Sequence, residues 1–237
     1  MYVNDAVYID KKFWMKGMVT NMKKKVLSGV LAFGFALAVF GSSVGAEPKT
    51  AGSEATFKLV AGTTITEPAT PGDGEETGQS GPVSIDYVPH FKFGEKSVSP
   101  KTEIYTDVSQ TPNVQITDLR GNEAGWELEL SATAFKTTEG DQLNGAILRI
   151  KKIAIANPYN SVSASPTAAS GPVLFGQGEL GAGVTNTIMT AADSQGGGTW
   201  LGNFYDGDGN QVELEVPAGN KVDSYKSTLT WTLTAAP

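Results

Sequence analysis

The sequence has no cysteine and a single histidine, His90, among its 237 residues. Disulfides, cysteine-ligated zinc, thiol nucleophiles, a cysteine-linked lipid anchor and an imidazole-rich metal centre are thereby excluded. Basic residues are scarce as well. Residues 47–237 hold twelve Lys and Arg against twenty-three Asp and Glu, a net charge of −11. A domain so acidic lacks the electropositive footprint of nucleic-acid binding. It is also repelled by anionic membranes and polyphosphate polymers, unless a cation bridges the two. After residue 46 no apolar run is long enough for a transmembrane helix. No segment carries the repeat of a long amphipathic helix either. Gly and Pro, 28 and 12 residues, exceed the usual share without reaching the level of low-complexity disorder, as expected of a folded domain with many turns.

What is present begins with an export signal. Met22-Lys23-Lys24-Lys25 precedes Val26–Phe40, an apolar run of fifteen residues, and Gly41-Ser-Ser-Val44-Gly45-Ala46 follows. A basic start, a short apolar middle and small residues at −3 and −1 make residues 22–46 a signal peptide with cleavage expected after Ala46. Residues 1–21, with Asp5, Asp10, Phe13 and Trp14, fit poorly as its extension and are read as an upstream mis-start, translation beginning at Met22 or Met18. Leu229–Pro237 shows no sorting pentapeptide, apolar tail or basic stop. The expectation is a secreted protein, either released or held at the cell surface without covalent attachment.

Residues 47–82 are rich in Glu, Thr, Gly and Pro. They read as an acidic linker, flexible over about 61–82, with Thr56–Ala61 as a candidate short strand. From Val83 the apolar signal has period two. Trp126–Ala134, Gln211–Val216 and Thr228–Thr234 alternate cleanly; in the last, Leu229, Trp231 and Leu233 share one face and four threonines the other. Asn113–Asp118, Ala146–Ala156 and Val184–Thr190 are further strand candidates. Turn-forming clusters separate them, such as Arg120-Gly-Asn and Gly196-Gly-Gly. Residues 83–237 are therefore expected to form an all-β domain, an antiparallel β-sandwich of Ig-like general architecture.

Two of these strands carry one signature, Trp126-Glu-Leu128 and Trp231-Thr-Leu233. Residues two apart on a strand share a face, so each pair is an apolar patch. The patches serve either as halves of the core or as part of an exposed groove in which an indole stacks on a ligand. Around the first lies Asp118–Arg120–Gly121 followed by Gly125-Trp126; around the second, Tyr225…Leu229-Thr-Trp231-Thr-Leu233…Pro237. With Phe91-Lys-Phe-Gly94 and Val212-Glu-Leu-Glu-Val-Pro217, these blocks resemble the WxL-domain proteins, exported surface proteins of low-GC Gram-positive bacteria. The resemblance covers roughly residues 83–237. It implies non-covalent attachment to the cell wall with peptidoglycan as ligand, and it makes other cell-surface proteins plausible partners.

The remaining constellations are weaker. Asp206, Asp208 and Asn210 have the spacing that opens a calcium loop, but Gln211 and Pro217 stand where the loop glycine and bidentate Glu belong. They read as a strand-connecting turn, with a weak Ca²⁺ site as the alternative and no other cofactor expected. Glu127 and Glu129 lie together on the face opposite Trp126, which suits a solvated surface better than opposed acids flanking a bond. His90 has no Ser or Asp signature around it, and no enzymatic activity is expected. Trp200, Tyr205 and Tyr225 are candidate aromatic contacts, Trp200 and Tyr205 on expected loops. The sequence thus describes a wall-binding β domain held by shape-matched, largely uncharged contacts that should survive high salt, or an adaptor docking other surface proteins.

Overall fold

A computed structural model of the chain describes residues 49–176 and 184–236. The leader, the Ala46 cleavage site and the alternative start lie outside them. Alternation in the sequence becomes fifteen strands and, among the described residues, no helix. The first sheet has the order β1 (Gly74–Glu76), β2 (Val83–Pro89), β4 (Asn113–Asp118), β11 (Gly198–Asn203), β7 (Ala154–Ala156). The second runs β15 (Leu229–Ala235), β5 (Trp126–Ala132), β10 (Thr185–Ala191), β8 (Thr167–Ala168). A third comprises β3 (Glu103–Thr106), β14 (Val212–Val216), β6 (Ile147–Ile150) and β9 (Val173–Gly176). The hairpin β12 (Tyr205–Asp206) and β13 (Gly209–Asn210) completes the set. All these strand pairs are antiparallel. The sheets adjoin where β15 meets β2, β5 meets β9 and β7 meets β8. The result is an open all-β sandwich, as the alternation required.

The sheets share one core because each sends its apolar face to the same interior. Ile85, Val114, Ile116 and Trp200 come from the first sheet, Trp126, Leu128, Leu130 and Met189 from the second, and Leu148, Ile150, Phe175 and Val212 from the third. Each such aliphatic side chain contributes about 1.5–3 kcal/mol when fully buried.

Three expectations need correction. Residues 61–82 are not a free linker throughout. β4 is buried along its whole length, and its second face is polar: Asn113, Gln115 and Thr117. The incoming chain covers that face. The Ala69 N–H donates to Gln115 Oε1 at 2.7 Å, Gln115 Nε2 donates to the Glu67 carbonyl at 3.0 Å, and Asn113 Nδ2 to the Thr70 carbonyl at 2.7 Å. β1 then pairs with β2. Beneath this strap the carboxylate of Asp86, at a bulge in β2, accepts from Ser84, Gln115 and Thr117. Hydrogen bonds to a buried polar face order the segment. Thr56–Ala61 is exposed and not a strand. Ala146–Ala156 divides into β6 and β7, which belong to different sheets, with Lys151 and Lys152 between them.

Candidate functional site

Alternation in β5 and β15 sends Trp126, Leu128 and Leu130, and likewise Leu229, Trp231 and Leu233, toward the interior. The register places Leu233 opposite Leu128 and Trp231 opposite Leu130. The two Trp-x-Leu motifs are thus adjacent rows of one apolar surface. Their depths differ: Trp126 is 2% exposed and Leu128 fully buried, whereas Trp231 and Leu233, on the sheet's edge strand, are half-buried. The Trp126 indole N–H donates to the Gly196 carbonyl at 3.1 Å. Gly196 has φ +76°, and a Cβ there would lie 2.6 Å from the indole nitrogen, so the tight turn must be glycine. Trp231 packs 5.8 Å from Phe204, which meets Phe91 edge-on at 5.3 Å. The first motif is core, and the second closes the core's edge.

The turn before the first motif has a specific task. Arg120 pairs with the buried carboxylate of Asp118 at 2.7 Å, donates to the Gly125 carbonyl at 2.7 Å and also reaches the Ala236 carbonyl. One guanidinium therefore fastens the end of β4, the start of β5 and the end of β15, a use of its fixed fork of donors. The sequence showed the Asp-x-Arg-Gly turn, but its partner more than a hundred residues downstream is visible only in the fold.

The other candidate residues are dispersed. Trp200, expected on a loop, sits in β11 at 4% exposure with its indole N–H bonded to the Gly197 carbonyl. Glycines flank it because the strand packs closely: a Cβ on Gly202 would lie 2.5 Å from Met189 Sδ. Trp200 therefore offers no ring to a ligand. Tyr205, also expected on a loop, is half-buried in the β12–β13 hairpin. In that hairpin the Asp206 carboxylate accepts from Lys152 Nζ at 2.9 Å, Gln211 Nε2 at 2.8 Å and the Asp208 N–H at 2.9 Å. The Lys152 bond, chiefly, holds the Asp206 carboxyl below its usual range. Asn210 turns its amide NH₂ to Asp107 and Ser109, and Asp208 is exposed. Among the described residues no cluster of three or more acids or histidines is placed to hold a metal ion. Glu127 is exposed and accepts from the Thr187 hydroxyl at 2.6 Å. His90 is exposed, 3.8 Å from Glu75.

A groove of about 1320 Å³ runs between the 91–105 segment and the 216–229 segment. Half-buried rings line it, among them Phe93, Tyr105, Phe135 and Tyr225. The Tyr225 hydroxyl is tied to the Lys221 carbonyl at 2.9 Å, and Lys96 lies over the Tyr105 ring at 5.5 Å. Several rim lysines already meet acids, Lys92 with Asp73 and Lys221 with Asp141, each at 2.7 Å.

A family model described as WxL domain, surface cell wall-binding, matches residues 46–237. The match begins well before Val83 and takes in the strap. No curated protein and no solved structure matches the chain. Among the described residues no helix is long and apolar enough to cross a membrane. With both Trp-x-Leu rows side by side in the central sheet and the family model spanning most of its length, the chain belongs to the WxL family of surface cell wall-binding domains.

Proposed function

We propose that the protein is exported and attaches non-covalently to peptidoglycan, without catalysing a reaction. The observation that carries the choice of ligand is charge. At −11 over residues 47–237, the domain is repelled by anionic wall polymers, and the largely uncharged glycan mesh is the wall component that remains compatible with it. Contacts of shape and hydrogen bonding follow, and these are weakly screened by salt. A second reading, docking of another surface protein, has one specific support. Among the described residues β15 is a seven-residue edge strand, and it carries neither the charge nor the proline that commonly keep an edge from pairing.

Sedimentation of the purified protein with peptidoglycan stripped of proteins and anionic polymers tests the proposal, in EDTA and in calcium. Saturable binding in EDTA is expected. Binding only with calcium would transfer the mechanism to the Asp206–Asn210 turn. No binding in either condition would refute the proposal in favour of a protein ligand.

A further inference from the structure

The outward face of the β15-β5-β10-β8 sheet has a composition that packing does not require. Register defines its rows. Thr230, Ser131 and Thr185 lie side by side across three strands; Thr232, Glu129 and Thr187 form the next row. Thr234, Glu127 and Thr190 form a third, which Thr167 of β8 extends. Every outward position of β15 in these rows is threonine, and so is every one of β10. The β15 threonines are exposed, as are Thr185 and Thr187. The bulge in β10 between Thr187 and Met189 keeps Thr190 in the array, because an extra residue restores the outward direction of the one that follows.

We infer that this threonine face is the surface that takes the glycan strand of peptidoglycan, an inference that rests on the proposed function above. Three features fit an aminosugar polymer. Each threonine offers a hydroxyl able to donate and accept, beside a methyl that packs on the C–H face of a sugar. Among the described residues, the hydroxyls of Thr230, Thr232, Thr234 and Thr185 make no side-chain hydrogen bond, so they are available to a ligand. The only charges in the rows are Glu127 and Glu129, which accept from sugar hydroxyl and acetamido N–H groups and repel anionic polymers. Spacing agrees as well. Neighbouring strands lie about 4.8 Å apart, close to the length of one pyranose ring in an extended glycan. A glycan crossing the sheet would therefore meet a new strand with each sugar. A regular array presented by rigid strands needs no ordering on binding, which limits the entropic cost.

The test uses the full purified protein and two solid phases: peptidoglycan freed of proteins and anionic polymers, and the glycan strands an amidase releases from it, coupled to beads with their newly exposed lactyl carboxylates converted to neutral amides. Thr230→Val, Thr232→Val and Thr234→Val combined keep the branched shape and remove three hydroxyls. This variant should bind about tenfold more weakly, as expected for the loss of a few hydrogen bonds, and Thr187→Arg with Thr232→Arg should abolish binding by covering the face. Val222→Asp, at the rim of the groove and 86% exposed, should bind as wild type. Wild type should bind the amidase-treated glycan undiminished, and unchanged circular dichroism and melting would show that the variants fold.

If wild type binds intact peptidoglycan while both threonine-face variants match it, this assignment is overturned and the peptidoglycan reading stands. Loss of wild-type binding after amidase treatment would likewise overturn it, assigning the contact to the stem peptides. If wild type binds neither material, both fail.

Discussion

Replacing Arg120 by Gln isolates the contribution of the three-way clamp. The side chain is 13% exposed and its partner Asp118 only 1%. The substitution removes the ion pair at 2.7 Å and the donors to the Gly125 and Ala236 carbonyls. Among the described residues, the Asp118 carboxylate keeps one donor, the Arg120 backbone N–H at 3.0 Å. Breaking one side of a buried pair costs about 3–5 kcal/mol, because the remaining charge is stranded. In a domain of this size that lowers the melting temperature by about 6–20 °C. Urea unfolding and a thermal scan measure the loss. Amide exchange should show β15 losing protection before β4, since the clamp joins the end of β15 to the rest of the sheet. Arg120→Lys keeps the charge but cannot fork to three acceptors, and should fall between the two. A fall below about 3 °C, the size expected of a solvent-exposed pair, would refute the clamp.

The two motif indoles should respond unequally: Trp126→Ala costs about 3–5 kcal/mol as the loss of a fully buried aromatic, and half-buried Trp231→Ala about 1–3 kcal/mol on the same scale, both read from urea midpoints. Removing residues 47–82 should destabilise the domain by about 2–4 kcal/mol, several hydrogen bonds at about 1 kcal/mol each partly offset by freed chain entropy. Amide exchange in β4 would rise with it, and unchanged exchange would show that the strap contributes nothing. Acid should weaken the fold in a defined window. Asp73, held down chiefly by its bond to Lys92, and Asp206, held down chiefly by Lys152, have folded-state values below the ordinary 3.8. Their stabilisation is complete above that value and is lost as pH falls through the lowered ones. The melting temperature attributable to them is therefore flat above about pH 5 and declines below about pH 4, and Asp73→Asn with Asp206→Asn should flatten the decline.

Strands with one wet and one dry face declared themselves in the sequence. β5, β14 and β15 were legible because Trp126, Leu214 and Trp231 each begin or continue an apolar row separated by polar residues. β4 was found, but not the reason for its burial on both sides. Its polar row of Asn113, Gln115 and Thr117 is covered by a segment whose contacts are hydrogen bonds, and a stretch such as Glu67–Gly74 bears no periodic mark of such pairing. β11 was missed because Gly198 and Gly202, needed for close approach, look the same in a sequence as the glycines of a loop. The likeness of the two motifs was visible from the start. Their adjacency, the reach of Arg120 and the rows of the threonine face all depend on register, which joins residues that nothing in the local sequence connects.

The pairing of β5 with β15 also governs the order in which the molecule can be built. The partners stand about a hundred residues apart in the chain, so β5 emerges from any pore or ribosome long before the strand that completes it. Until then one of its backbone edges is open and its apolar row only partly covered. Closing so long a loop before any reward is collected makes folding slow for a domain of this size. The sheet consequently locks on that side only when β15 arrives.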